Sequence, residues 1–328
     1  MRRRELVVGI GAAVLMPPLA VPAQQLKKLP RIGFLATGRF QGRMIDAFMQ
    51  GLGELGYAEG TNFTLEYRQA ESKVERFPAL AKELVDLKVD LIVATNSLAA
   101  RAAQQATSTI PIIVPVMGDP VSDGLVGSLA RPGNNITGLT FLGPELLPKR
   151  LALLKEALPA VSRIAALWHP GAYGEPTMND MLRRAEAGAR SLDVSLELAA
   201  VHGPDEFDRA FSDIVQGSGD ALLVFPSPML FTEMRRIAEL ARQNHLPAMA
   251  MAREFTEFGG LMAYGASIAD LHRRAAIYVD KILKGTRPGD LPIEQPVKFE
   301  FLLNLRTAKA LGVIFPPTLL ARADEVIE

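Results

Sequence analysis

Cysteine is absent from the 328 residues. That removes disulfides, thiolate metal ligands, thiol nucleophiles and any acceptor for an N-terminal lipid anchor. Net charge is absent as well: 36 basic residues stand against 36 acidic ones, so no global field draws the chain to nucleic acid or a membrane surface. The densest cation pairs, Arg183-Arg184 and Arg273-Arg274, read as solvated helix faces, and no nucleic-acid partner is expected. Histidine is scarce: His169, His202, His245 and His272 are scattered without a metal-ligand spacing, so no metal is expected. The chain lacks a G-x-S-x-G elbow and a Walker A loop. Its one G-x-G near an apolar stretch, Gly9-Ile10-Gly11, lies among the small residues of an N-terminal apolar run. A two-lobed racemase would need paired thiols that this chain does not have. No cofactor is implied and no catalytic set is visible, which favours a binding protein over an enzyme.

What is present begins at the N-terminus. Arg2-Arg3-Arg4 precede an apolar run from Leu6 to about Ala20, and Val21-Pro22-Ala23 form a small-residue cleavage site before Gln24. This is the pattern of a signal peptide over residues 1–23. The run is short for a membrane span, and Pro17-Pro18 break it. The paired arginines resemble a twin-arginine signal, and Sec export stays open. The expected product is periplasmic, without a lipid anchor.

The first half of the chain is written again in the second. Arg31-Ile32-Gly33-Phe34-Leu35 returns as Arg163-Ile164-Ala165-Ala166-Leu167, and Asp90-Leu91-Ile92-Val93-Ala94-Thr95-Asn96-Ser97 as Asp220-Ala221-Leu222-Leu223-Val224-Phe225-Pro226-Ser227. The offset of about 130 residues is the size of a domain rather than of a solenoid repeat. Apolar runs of strand length at 32–35, 89–94 and 112–116 alternate with amphipathic stretches, the first marked by Met44, Ile45, Phe48 and Leu52. The second half repeats this with strands at 164–168, 194–200, 221–225 and 248–252. A long amphipathic helix follows over 268–283, then an apolar strand over 299–303. The order predicts an α/β fold of two similar doubly wound parallel-sheet lobes joined by a multi-strand hinge. Crossovers are expected near residues 137–143, 263–267 and 291–298. Residues 30–140 with 266–292 would form lobe 1, and 141–265 with 298–328 lobe 2.

Two such lobes imply a cleft, with ligand held on the loops after the strand C-termini. Those loops carry Thr37, Asn96, Ser97 and Asp119 in the first half, and Tyr173, Ser227 and Glu254 in the second. Small hydroxyl and amide groups beside helix N-termini suit a carboxylate, and Asp119 or Glu254 could pair with an ammonium. Asn96 and Ser97 read equally well as helix caps, and Asp119 before Pro120 as a turn former. Tyr173 and Tyr264 offer aromatic walls, with core packing an equal reading for Tyr264.

Longer motifs resemble one family. Gly118-Asp119-Pro120-Val121-Ser122-Asp123-Gly124, Leu129-Ala130-Arg131-Pro132-Gly133-Asn134-Asn135-Ile136-Thr137-Gly138, Tyr278-Val279-Asp280-Lys281-Ile282-Leu283-Lys284-Gly285 and Asn304-Leu305-Arg306-Thr307-Ala308 are similar to ABC transporter substrate-binding proteins of the tryptophan/tyrosine uptake type. The resemblance spans essentially everything after the signal. It implies a type I periplasmic-binding fold that closes on a small amino acid-like solute and hands it to an inner-membrane ABC permease. It also implies ligand contacts at Thr37, Asn96, Ser97, Asp119, Ser227 and Tyr264. A monomer is expected. A periplasmic sensor for a receptor kinase and an exported enzyme on the same fold remain alternatives.

Overall fold

The computed structural model describes residues 29–38 and 42–328; the expected signal peptide, residues 1–23, lies outside them. Five parallel strands build the first sheet: β1 (Arg31–Ala36), β2 (Thr64–Gln69), β3 (Leu91–Ala94), β4 (Ile112–Met117) and β5 (Ile136–Thr140), in the order β2-β1-β3-β4-β5. The second sheet holds β6 (Arg163–Trp168), β7 (Ser195–Ala200), β8 (Ala221–Val224), β9 (Ala248–Ala250), β10 (Met262–Ala266), β11 (Phe299–Asn304) and β12 (Glu325–Ile327), ordered β12-β11-β10-β9-β8-β6-β7. The central strands β3 and β8 are buried at every residue, as parallel sheets covered on both faces require. The chain is thus α/β with two lobes. The second sheet departs from a purely parallel one, because β11 runs antiparallel to β10.

The helices are α1 (Gly42–Glu54), α2 (Phe77–Asp86), α3 (Ser97–Ala106), α4 (Leu147–Ala157), α5 (Glu175–Ser191), α6 (Phe207–Gln216), α7 (Pro228–Thr232), α8 (Met234–Gln243), α9 (Arg253–Glu257), α10 (Ile268–Leu283), α11 (Leu305–Leu311) and α12 (Pro317–Leu320). In α1 the buried residues are Met44, Phe48, Gly51 and Leu52, one stripe at helical spacing. That stripe rests on α10. A Cβ on Gly51 would stand 2.3 Å from the Arg273 carbonyl oxygen, so the two backbones meet only because the side chain is missing.

The sequence repeat is also a hydrogen-bond repeat. Asp90 Oδ2 accepts from the Arg31 N–H at 2.7 Å, and Asp220 Oδ2 from the Arg163 N–H at 2.9 Å. Thr95 N–H donates to the Leu35 carbonyl, and Phe225 N–H to that of Leu167. These bonds fix β3 against β1, and β8 against β6, in one register. In each sheet the strand order reverses between those two strands, so a crevice opens at their C-terminal ends.

Three segments pass between the sheets: β5 into residues 141–146, β10 into α10, and residues 292–298 into β11. They are tied to one another. Thr140 N–H donates to Glu294 O, Glu294 N–H to Gly138 O, and Ser267 N–H to Lys298 O at 3.0 Å.

Gly138 lies in the first crossing strand at φ +142°, and a Cβ there would be 2.0 Å from the Val114 carbonyl oxygen. No other residue type fits both constraints. Gly138→Ala should therefore cost about 3 kcal/mol in urea unfolding. An alanine variant as stable as the parent would show that β5 relaxes freely.

Candidate functional site

The crevices of the two sheets face each other and merge into one cavity with ≈ 720 Å³ of atom-free space, part of it open to solvent. Thr37 and Gly38 reach it from the end of β1, and Thr95 and Asn96 from the end of β3. Tyr173 comes from the loop after β6, and Ser227, Pro228, Phe231 and Thr232 from the start of α7. Met44, Val116, Met251, Ile268 and His272 complete the walls. Among the described residues, no Asp, Glu, Lys or Arg lines this cavity, and no cluster of three or more His, Cys, Asp or Glu could hold a metal ion.

Asn96 shows why the floor is polar. It is the N-cap of α3, and its Oδ1 accepts from the N–H groups of Leu98 and Ala99 at 3.0 and 3.1 Å, satisfying donors that the helix leaves open. Its Nδ2 donates to Thr37 Oγ1 at 2.7 Å and to Thr95 Oγ1 at 3.2 Å. An amide has two N–H hydrogens and both are spent. The two threonine hydroxyls, having accepted from Asn96, keep their own protons to donate. Asn96 therefore aims the hydroxyls rather than offering a bond itself.

The second lobe mirrors this arrangement. Ser227 is the N-cap of α7 and accepts from Met229 and Leu230 N–H at 3.2 and 3.3 Å, while His169 Nδ1 lies 3.1 Å from its Oγ. Burial and then the nearby His202 push the His169 imidazole below its ordinary value, so it is neutral at pH 7 and can accept the serine proton. With the His169 proton on Nε2, the Ser227 hydroxyl is spent too.

The remaining sequence-chosen residues do not line the cavity. Ser97 accepts from Gly118 N–H at 3.1 Å. That bond holds Gly118 where a Cβ would meet the Tyr173 ring at 3.0 Å. Asp119 spends its carboxylate on its own turn, accepting from Val121 N–H, Ser122 N–H and Ser122 Oγ. Glu254 is buried in α9, 3.7 Å from Arg43 of α1, with its carboxyl held above the usual range by burial. Tyr264 packs edge-on against Phe301, 6.1 Å between centroids. The acids expected to meet an ammonium are thus off the walls. Thr95 lies on the same ligand-side loop as Asn96 and Ser97 but was not among the contacts chosen from the sequence. Sequence reasoning also passed over the apolar walls, since Phe231, Met251 and Ile268 have the spacing of ordinary core.

This is the class of a two-lobed solute receptor with a type I periplasmic-binding fold: paired doubly wound lobes, three crossing segments and a cavity at both switch points. The chain belongs to the ABC transporter substrate binding protein family, whose model matches residues 41–327. It is 28% identical over 267 residues to a curated tyrosine-binding protein of Clostridioides difficile, covering 81% of this chain and 75% of that one. It is similar in structure to an ABC domain from Streptococcus pneumonia in complex with L-Trp, with TM-score 0.83 at 24% identity over 91% of this chain and all of that one. The ligand-free, open structure of a Clostridium difficile substrate binding protein with adhesive properties gives TM-score 0.65 at 23% identity, covering 92% and 99%. Among the described residues no helix is long and apolar enough to cross a membrane.

His272 links the cavity to stability. It is fully enclosed in α10, Nδ1 lies 2.8 Å from the Ile268 carbonyl oxygen, and burial pushes its pKa down to about 4. An unfolded histidine titrates at about 6.5. Between these values the unfolded chain binds a proton that the folded chain refuses, so stability falls as pH drops from about 6.5 toward 4. The slope should reach about 1.4 kcal/mol per pH unit. His272→Gln should flatten it in denaturation curves taken from pH 7 to 4; an unchanged slope would assign the acid sensitivity elsewhere.

Proposed function

We propose that the protein is the periplasmic receptor of an ABC importer and that its solute is an aromatic amino acid. The observation that carries this reading is the composition of the cavity. Thr37 and Thr95 present hydroxyl donors at one end, suited to a carboxylate. Phe231, Met44, Met251 and Ile268 supply apolar wall that a ring would bury for about 2–3 kcal/mol. A sugar would need several polar partners around its ring, and Asn96 and Ser227 have none to spare. The tyrosine-binding relative and the L-Trp complex support the same solute class.

In this reading Thr37, Thr95 and Tyr173 touch the solute directly. Asn96 and Ser227 touch it only by packing, and Ser97 acts through Gly118. Residues 30–140 with 266–292 move against 141–265 with 298–328 about the three tied crossings. Lobe contacts such as Arg43 to Glu257 at 2.9 Å belong to the closed form. The better superposition on the L-Trp complex than on the open structure supports that assignment. The closed pair of lobes is then what an inner-membrane permease recognises, and the role is binding rather than turnover.

Titration calorimetry should show L-tyrosine, L-tryptophan or L-phenylalanine binding, with D-glucose inert. At a concentration about 100-fold above Kd the ligand should add about 2.7 kcal/mol of stability, and solution scattering should show compaction. Binding of glucose with no response to the aromatic acids would overturn the solute class. For export, the protein expressed with residues 1–23 should be recovered from the periplasm starting at Gln24; retention of the intact N-terminus would refute cleavage there.

A further inference from the structure

Arg150 stands in the first turn of α4, a few residues after the first crossing, and is completely buried. Its Nε donates to the Tyr264 carbonyl at 2.7 Å, and neither Nη1 nor Nη2 has a hydrogen-bond partner. Its electrostatic neighbours are the hydroxyls of Tyr173 and Tyr264. Burial lowers its pKa to about 10, which leaves it protonated at neutral pH. A buried guanidinium with two unpaired nitrogens is costly for the empty protein.

Its position shows what could. Nη2 lies 3.4 Å from where a Cβ on Gly265 would stand, and that same point is 2.1 Å from the Met251 carbonyl oxygen. Tyr173 and Met251 are both cavity walls, so the cation is one layer behind the cavity, beside the hinge. The described walls bear no charge of their own, and the hydroxyls of Thr37 and Thr95 can donate to a carboxylate without neutralising it.

We propose that Arg150 selects the carboxylate of the solute, its unpaired buried charge being balanced only when an anion occupies the cavity. Arg150 is a positioning residue in this sense, acting on the anion through the Tyr173 wall. The inference rests on the reading of this cavity as the solute site. It names the group that enforces the carboxylate.

The test compares L-tyrosine with L-tyrosinamide, and L-tryptophan with L-tryptophanamide, on the full-length mature protein, Arg150→Met and Arg150→Lys. The parent should prefer each acid over its amide by about 100-fold. In Arg150→Met the preference should fall to within about threefold, through loss of affinity for the acid, while the ligand-free melting temperature stays level or rises. Arg150→Lys should fall between. A merely structural role would weaken acid and amide together, leaving the ratio intact, and that result overturns the proposal. So does a parent that binds amide and acid alike, a comparison that needs no variant to fold. If the parent binds only a solute without a carboxylate, the inference fails while the receptor reading survives; if it binds nothing from any solute class, both fail.

Discussion

Two helices begin at the bottom of the cleft, and the first N–H groups of each have no acceptor within the helix. The site is organised by that deficit. In lobe 1 Asn96 meets it with one end of its side chain and holds the hydroxyls of Thr37 and Thr95 with the other. In lobe 2 Ser227 meets it and is held in turn by His169. Because the capping residue in each lobe also contacts the residue ending the neighbouring strand, strand register, helix start and cavity floor cannot vary independently. A shift of β3 against β1 would move Asn96 from Thr37 and turn the hydroxyl donors away.

The same coupling runs through the hinge. Peptide hydrogen bonds join the first crossing to the third, and the third to the second. Side chains reinforce them, Thr137 Oγ1 donating to Leu291 O and Tyr278 Oη to Pro292 O. Three segments bonded to one another form a single hydrogen-bonded unit between the sheets, so the proposed closure would carry all three together. Phe141 of the first crossing lies 6.1 Å from the Tyr173 ring, which places a cavity wall directly against the bending segment. Changes in that wall and changes in hinge angle therefore share side chains.

Much of this was legible in the sequence because it was written twice. The recurrence of Asp90 as Asp220, each opening an apolar strand, gave both lobes and their common register. Three crossovers were expected near residues 137–143, 263–267 and 291–298, where the crossing segments lie. The antiparallel β11 was not legible, since an apolar run does not state its direction. Half of the chosen site residues lie off the cavity walls for reasons a single sequence hides. Asp119 and Glu254 looked like free acids, but one is consumed by its turn and the other is drawn toward Arg43. Asn96 and Ser227 line the cavity, yet the helix ends occupy their oxygens and Thr37, Thr95 and His169 occupy the rest. Arg150 gave no signal at all: an arginine in an amphipathic helix reads as solvated, and only packing reveals one that is sealed in.

The divergence of the two halves matters as much as their likeness. Where Thr37 follows the first strand of lobe 1, His169 follows the matching strand of lobe 2; where lobe 1 has Thr95, lobe 2 has Phe225. The two hydroxyls held by Asn96 thus stand on one side of the cleft, while Phe231 on the other offers a ring face. A solute that is polar at both ends would leave one of them against apolar wall, at a cost of about 1–3 kcal/mol per unpaired group. A solute with one polar end and one ring loses nothing, and it can enter in one orientation only. Duplication built the cleft, and the loss of symmetry between its copies gave the cleft a direction.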